Sequence, residues 1–105
     1  MGTTMFGAID DPEAYCEILE RHQLPYKLHI DAAYGGFVYP FSNSESEINF
    51  ENPKISSITI DAHKMLQSPY GTGVFICRKG LIENVLTKEA QYVEGMDLTL
   101  CGSRS

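Results

Sequence analysis

Two side chains in this sequence of 105 residues could carry covalent and acid–base chemistry together: Asp31 and Lys64, 33 residues apart. Each stands at the end of a β-type run. The segment KLHID, residues 27 to 31, alternates in character, and a second run alternates Ile58, Ile60 and Ala62 before breaking at Asp61-Ala62-His63-Lys64. A turn rich in Gly and Pro follows the lysine, and an apolar run resumes at Val74. A lysine held partly dry at a sheet edge can react as the neutral amine and attack a carbonyl to form a Schiff base.

If the two strands are parallel neighbours, their carboxyl ends share the edge at which open α/β folds bind ligands. A carboxylate on that edge can hold a pyridinium nitrogen protonated, the pairing used with pyridoxal phosphate. Spacing alone leaves plainer readings open. A lysine and an aspartate at strand ends can face solvent or pair with each other. His29, Asp31 and His63 offer a weak alternative as a metal site, since an H-x-D pair puts two ligands on one strand face.

The elements that must position these residues read as follows. Asp11 caps a helix whose first position is Pro12, with Glu13 opposing the dipole. Tyr15, Ile18, Leu19 and His22 form its apolar face, and Leu24-Pro25 ends it. Strands are expected over residues 27 to 31, 55 to 60 and 73 to 77. A second helix is expected over residues 79 to 93, with Leu81, Ile82, Val85, Leu86 and Ala90 on its apolar side, and the tail 98 to 101 could start another strand. Residues 42 to 54 (SNSESEINFENPK) read as a polar surface loop. The pattern is α/β, but three strands and two helices cannot cover both faces of a mainly parallel sheet. Residues 1 to 105 are therefore expected to be part of a larger domain.

Bulk properties exclude several classes. A net charge of −6 with scattered basic residues argues against nucleic acid. The apolar runs are too short to span a membrane, and the first residues lack the basic stretch of a signal peptide, so a cytoplasmic location is expected. Cys16, Cys77 and Cys101 show neither disulfide nor metal spacing and read as small buried hydrophobes. Gly71 and Gly73 would let the third strand turn back close beside the lysine. Read as a phosphate loop, Gly71-Thr72-Gly73 is weak, because a strand and not a helix follows it.

The words around these residues are more specific than their spacing. HIDAAYGGF, SITIDAHKM and GTGVFICRKG together resemble the group II pyridoxal-phosphate-dependent decarboxylases of fold type I. The nearest branches are the archaeal-type tyrosine/aspartate decarboxylases and the sphingosine-phosphate lyases. GTTMFGAIDDPE at the start resembles the family's Gly-Thr-Thr turn, and LTLCGSRS the segment beyond the lysine region, so the resemblance covers nearly the whole chain. It departs at Ala62, where many members carry Pro.

The resemblance implies a fragment of the large domain of an aspartate-aminotransferase-like enzyme, a mainly parallel sheet with one antiparallel strand. It implies pyridoxal 5'-phosphate as cofactor, an amino-acid substrate, and a homodimer with the site near the subunit boundary. Lys64 would form the Schiff base and shuttle protons. Asp31 would bind the ring nitrogen, Ala33 would pack its methyl on the ring, His63 would lie toward the phosphate, and Thr4 would help position cofactor and substrate. The reaction implied is decarboxylation. A carbon–carbon lyase of the sphingosine-phosphate type, or a segment inactive on its own, is the alternative.

Overall fold

The computed structural model describes residues 1–85. The elements run α1 (Pro12–Arg21), β1 (Leu28–Asp31), α2 (Tyr39–Ser42), β2 (Ile55–Asp61), α3 (Ala62–Met65) and β3 (Gly73–Cys77), followed by a 3₁₀ turn at Ile82–Val85. The sheet order is β1-β2-β3. β1 lies parallel to β2, and β3 returns antiparallel on its other side. One parallel and one antiparallel pairing are thus present, with β2 in the centre.

Helix α1 starts as its sequence dictates. The Asp11 carboxylate accepts the Glu13 N–H at 3.0 Å, and Pro12, which has no N–H to satisfy, takes the first turn. Its end comes earlier than expected. Gln23 adopts a left-handed φ of 53°, and Leu24 N–H donates back to the Leu19 carbonyl at 2.9 Å, closing the helix before Pro25. The buried face also differs from the expected one. Cys16 is fully buried one turn after buried Pro12, whereas Tyr15 and Ile18 are 56% and 54% exposed. The small thiol, not the larger apolar residues, fits against the rest of the chain.

Polar contacts tether α1. Lys54 Nζ sits 2.7 Å from Glu13 Oε2 and 3.3 Å from Glu20 Oε1, Asn52 Nδ2 donates to Glu13 Oε1, and the Tyr26 hydroxyl donates to Glu20. Lys54 and Asn52 hold the Glu13 carboxyl below its ordinary 4.5, and Tyr26 and Lys54 do the same for Glu20. Glu13, in turn, raises Lys54. Depressed carboxylates stabilise the fold above their unfolded pKa, and that share is lost as pH falls through the folded value. The Lys54 share persists through its ordinary 10.5 and is lost only above it. Because these pairs remain partly open to solvent, Lys54→Met should cost only a small drop in melting temperature at neutral pH. Melts in acid, where the carboxylates are protonated, should show no difference between the two proteins.

The segment before β2 is less superficial than its polar composition suggests. Ile48 and Phe50 pack onto a core of Ile30, Ala32, Ile55 and Ile58, and Asn52 is buried. Arg78, just after β3, fixes this segment. Its Nε donates to the Ile55 carbonyl at 2.7 Å, its Nη2 donates to the carbonyls of Asn52 and Phe50, and its guanidinium lies over the Phe50 ring. Cys16 and Cys77 are free thiols, the second only half-buried. Of the helix expected over residues 79 to 93, the described part is a turn at residues 79 to 81 and the 3₁₀ turn Ile82–Val85 rather than α-helix; its remainder, the tail strand and Cys101 lie outside the described residues.

Candidate active site

Asp31 closes β1 and pairs in register with Thr59, while β2 runs on to Asp61 and passes directly into the single turn α3 that carries Lys64. The carboxyl ends of the two strands therefore meet at one edge of the sheet. Pairing continues past β1, with Ala32 N–H donating to the Thr59 carbonyl at 2.9 Å and Asp61 N–H to the Ala33 carbonyl at 3.3 Å. The Asp31 carboxylate accepts the Ala33 N–H at 3.0 Å, an Asx-type turn that holds the acid beside the start of the next loop.

A cavity of about 330 Å3 opens at this edge, lined by Met1, Gly2, Thr3, Thr4, Asp10, Asp31, Ala33, Tyr34 and Lys64. It gathers four of the five residues singled out from sequence: Thr4, Asp31, Ala33 and Lys64. The Gly-Thr-Thr turn forms one wall. Gly7 N–H donates to the Thr3 carbonyl, Ala8 N–H donates to Thr3 Oγ1, and Gly2 and Thr3 N–H both donate to the Ala8 carbonyl, so the turn closes on itself and leaves Thr4 exposed. Gly2 lies against Gly35, where a Cβ would come within 3.1 Å of the Gly35 Cα. That contact brings the turn up to the Asp31 end of the sheet.

His63 is the fifth residue, and it is not among those lining the cavity. Its side chain is 13% exposed, its Nε2 is 3.7 Å from Asp61 Oδ2, and its ring tilts against Tyr70 at 5.0 Å. The buried Nδ1 has no hydrogen-bond partner. Lys64 Nζ is 2.9 Å from Asp61 Oδ2, so its carboxylate partner is Asp61 and not Asp31. Sequence reading passed over Asp61, although it lies three residues before Lys64, a spacing that puts both on one side of a helical turn. Asp10 and Tyr34, which line the cavity, carried no such signal. Gly73 is where the hairpin needs it. A Cβ there would stand 3.1 Å from Asp61 Oδ1, and Gly71 takes the left-handed φ of 89° that the reversal requires.

Among the described residues no group of three or more His, Cys, Asp or Glu could hold a metal ion. His29 is engaged instead with hydroxyls of β2. No helix of the described residues is long and apolar enough to cross a membrane. An amine that can condense with an aldehyde and a separate carboxylate able to keep a pyridine nitrogen protonated line one cavity, and these are two of the groups pyridoxal phosphate requires.

Comparison with known families agrees with that chemistry. The model of the pyridoxal-dependent decarboxylase conserved domain matches residues 1–101. The chain belongs to this family. A tryptophan decarboxylase from Clostridium sporogenes is 59% identical over 105 residues, covering all of this chain and 25% of that protein. A protein named probable L-tyrosine/L-aspartate decarboxylase from Methanocella arvoryzae is 44% identical, covering 99% of this chain and 28% of its own length. A histidine decarboxylase from Pseudomonas entomophila is 34% identical, covering 100% and 26% respectively. The chain thus spans about a quarter of the length of the curated relatives it matches. Family membership accounts for the cofactor named in its description, and the cavity edge is where this chain would contribute to holding it.

Proposed function

We propose that residues 1 to 105 form part of the cofactor-binding large domain of a fold type I enzyme, and that the whole protein decarboxylates an amino acid. The observation that carries this reading is the meeting of Asp31 and Lys64 in one cavity at the carboxyl edge of a parallel strand pair, with Thr4 and Ala33 beside them. Lys64 would present its amine to the cofactor's carbonyl and carry protons at the reacting carbon. Asp31 would keep a proton on the ring nitrogen. Bound there, pyridoxal phosphate supplies an electron sink for the pair left behind when carbon dioxide departs. Ala33 would offer a methyl-sized surface to the ring, and Thr4 a hydroxyl at the opposite wall. His63 would act from behind Lys64, on the side of Asp61 and Tyr70.

The decarboxylase names of the relatives favour this reaction over carbon–carbon cleavage. Those names also support an amino acid as the substrate. We place the protein in the cytoplasm as a homodimer, as the family resemblance implies; the exposed Val74, Phe75 and Ile76 of β3 fit a strand that the rest of the domain covers. Adding pyridoxal phosphate should produce a visible absorption band, and reduction with borohydride should fix the cofactor's mass on the peptide containing Lys64. Lys64→Ala should abolish both. Persistence of the band in Lys64→Ala, or a tag on another lysine, would overturn the assignment.

A further inference from the structure

We propose that His29 is a positioning residue, whose imidazole locks β1 onto β2 and so sets where Asp31 stands relative to Lys64. This rests on the cofactor-site reading given above. The starting observation is a slip in the parallel pairing. Leu28 pairs with Ile55, but the next residue, His29, pairs with Ser57. Within β1 only His29, Ile30 and Asp31 then hold the new register, extended by two further backbone bonds at Ala32 and Ala33, a short ladder to which side-chain contacts add. A one-residue slip would turn Asp31 to the opposite face of the sheet and away from the cavity.

The His29 ring sits at the site of that slip. Its Nδ1 is 2.8 Å from Ser57 Oγ and its Nε2 is 3.2 Å from Thr59 Oγ1, so the two ring nitrogens span alternate residues of β2. On its far side the ring stacks on Phe75 of β3, with centroids 6.0 Å apart and planes 24° from parallel. One side chain therefore touches all three strands. Thr59, which it grips, is the register partner of Asp31. Hydroxyls donate or accept equally well, so either neutral tautomer of His29 satisfies both contacts. The arrangement fixes position without depending on where the proton sits.

The test compares cofactor affinity, read from the Lys64-dependent absorption band, with thermal stability. Thr59→Val keeps a β-branched side chain of similar shape and removes only one of the two contacts, so it tests the role even if His29→Ala folds poorly. Each variant should weaken cofactor binding roughly five- to tenfold, the worth of about one hydrogen bond. The double variant should lose little more than either alone. Introduced into Asp31→Asn, His29→Ala should have almost no further effect on affinity, because its action passes through the acid. Lowered melting temperature with unchanged affinity, or losses that add fully to those of Asp31→Asn, would reduce His29 to a fold-stabilising residue and overturn the proposal. A wild-type protein without any Lys64-dependent band would instead remove the cofactor reading itself.

Discussion

Replacing Asp31 with asparagine is expected to slow decarboxylation on the order of 10²- to 10³-fold while leaving the fold intact. The substitution is a clean one. Asparagine keeps the Oδ1 that accepts the Ala33 N–H, so the turn beyond β1 survives and only the charge is lost. In the role proposed for Asp31, a neutral amide could not keep a ring nitrogen protonated, and the electron-accepting chemistry the cofactor would supply should weaken. Because the acid acts on the transition state more than on the substrate, the loss should fall on kcat, with KM changed little. Steady-state kinetics on the amino acid that the wild-type protein consumes, with circular dichroism as the control for folding, would check this. A variant that turns over at the wild-type rate would show that Asp31 faces nothing of consequence.

A methyl group at position 36 should be nearly as damaging, by an unrelated route. Gly36 does not have a left-handed φ, so its requirement is purely steric. A Cβ there would meet the Ala32 carbonyl oxygen at 2.6 Å, Ile60 Cγ2 at 2.9 Å and the Ala32 Cβ at 3.0 Å. The first of these atoms is backbone and cannot swing aside, and it also accepts the Gly36 N–H at 2.8 Å. Gly36→Ala should therefore cost about 3 kcal/mol of stability, at the upper end for overpacking. It should also loosen the loop on which Ala33 and Tyr34 reach the cavity. Urea unfolding of the two proteins would measure it, and a difference under about 0.5 kcal/mol would mean that the loop relaxes freely.

What was legible in the sequence is what local chemistry determines. The Asp11-Pro12-Glu13 start of α1 and the extents of β1, β2 and β3 followed from capping and alternation to within a residue. The shared edge of Asp31 and Lys64 followed from parallel pairing, and the gathering of Thr4 and Ala33 beside them followed from a resemblance carried by whole words of sequence. What was missed depends on packing between distant segments. Cys16 is buried as its type suggests, but nothing local says that Tyr15 and Ile18 would be left exposed, or that Ile48 and Phe50 would pack onto the core from a polar loop. Arg78 was passed over for the same reason: its partners are backbone carbonyls, and these have no signature in the sequence. The partner of Lys64 is legible in principle, since Asp61 ends β2 three residues earlier, the spacing of one helical turn.

The two halves of the candidate site are joined to the sheet by very different lengths of chain. Lys64 rides on a local hairpin, since β2 and β3 are linked by the short stretch from residue 62 to residue 72. Asp31 belongs to a strand whose partner lies beyond a connection running from residue 32 to residue 54. Closing a longer loop carries more entropy, and non-local contacts form late. During folding the amine should accordingly be in place before the acid arrives. Heat or denaturant should release the acid first, so that the site comes apart while the hairpin beneath the lysine still holds.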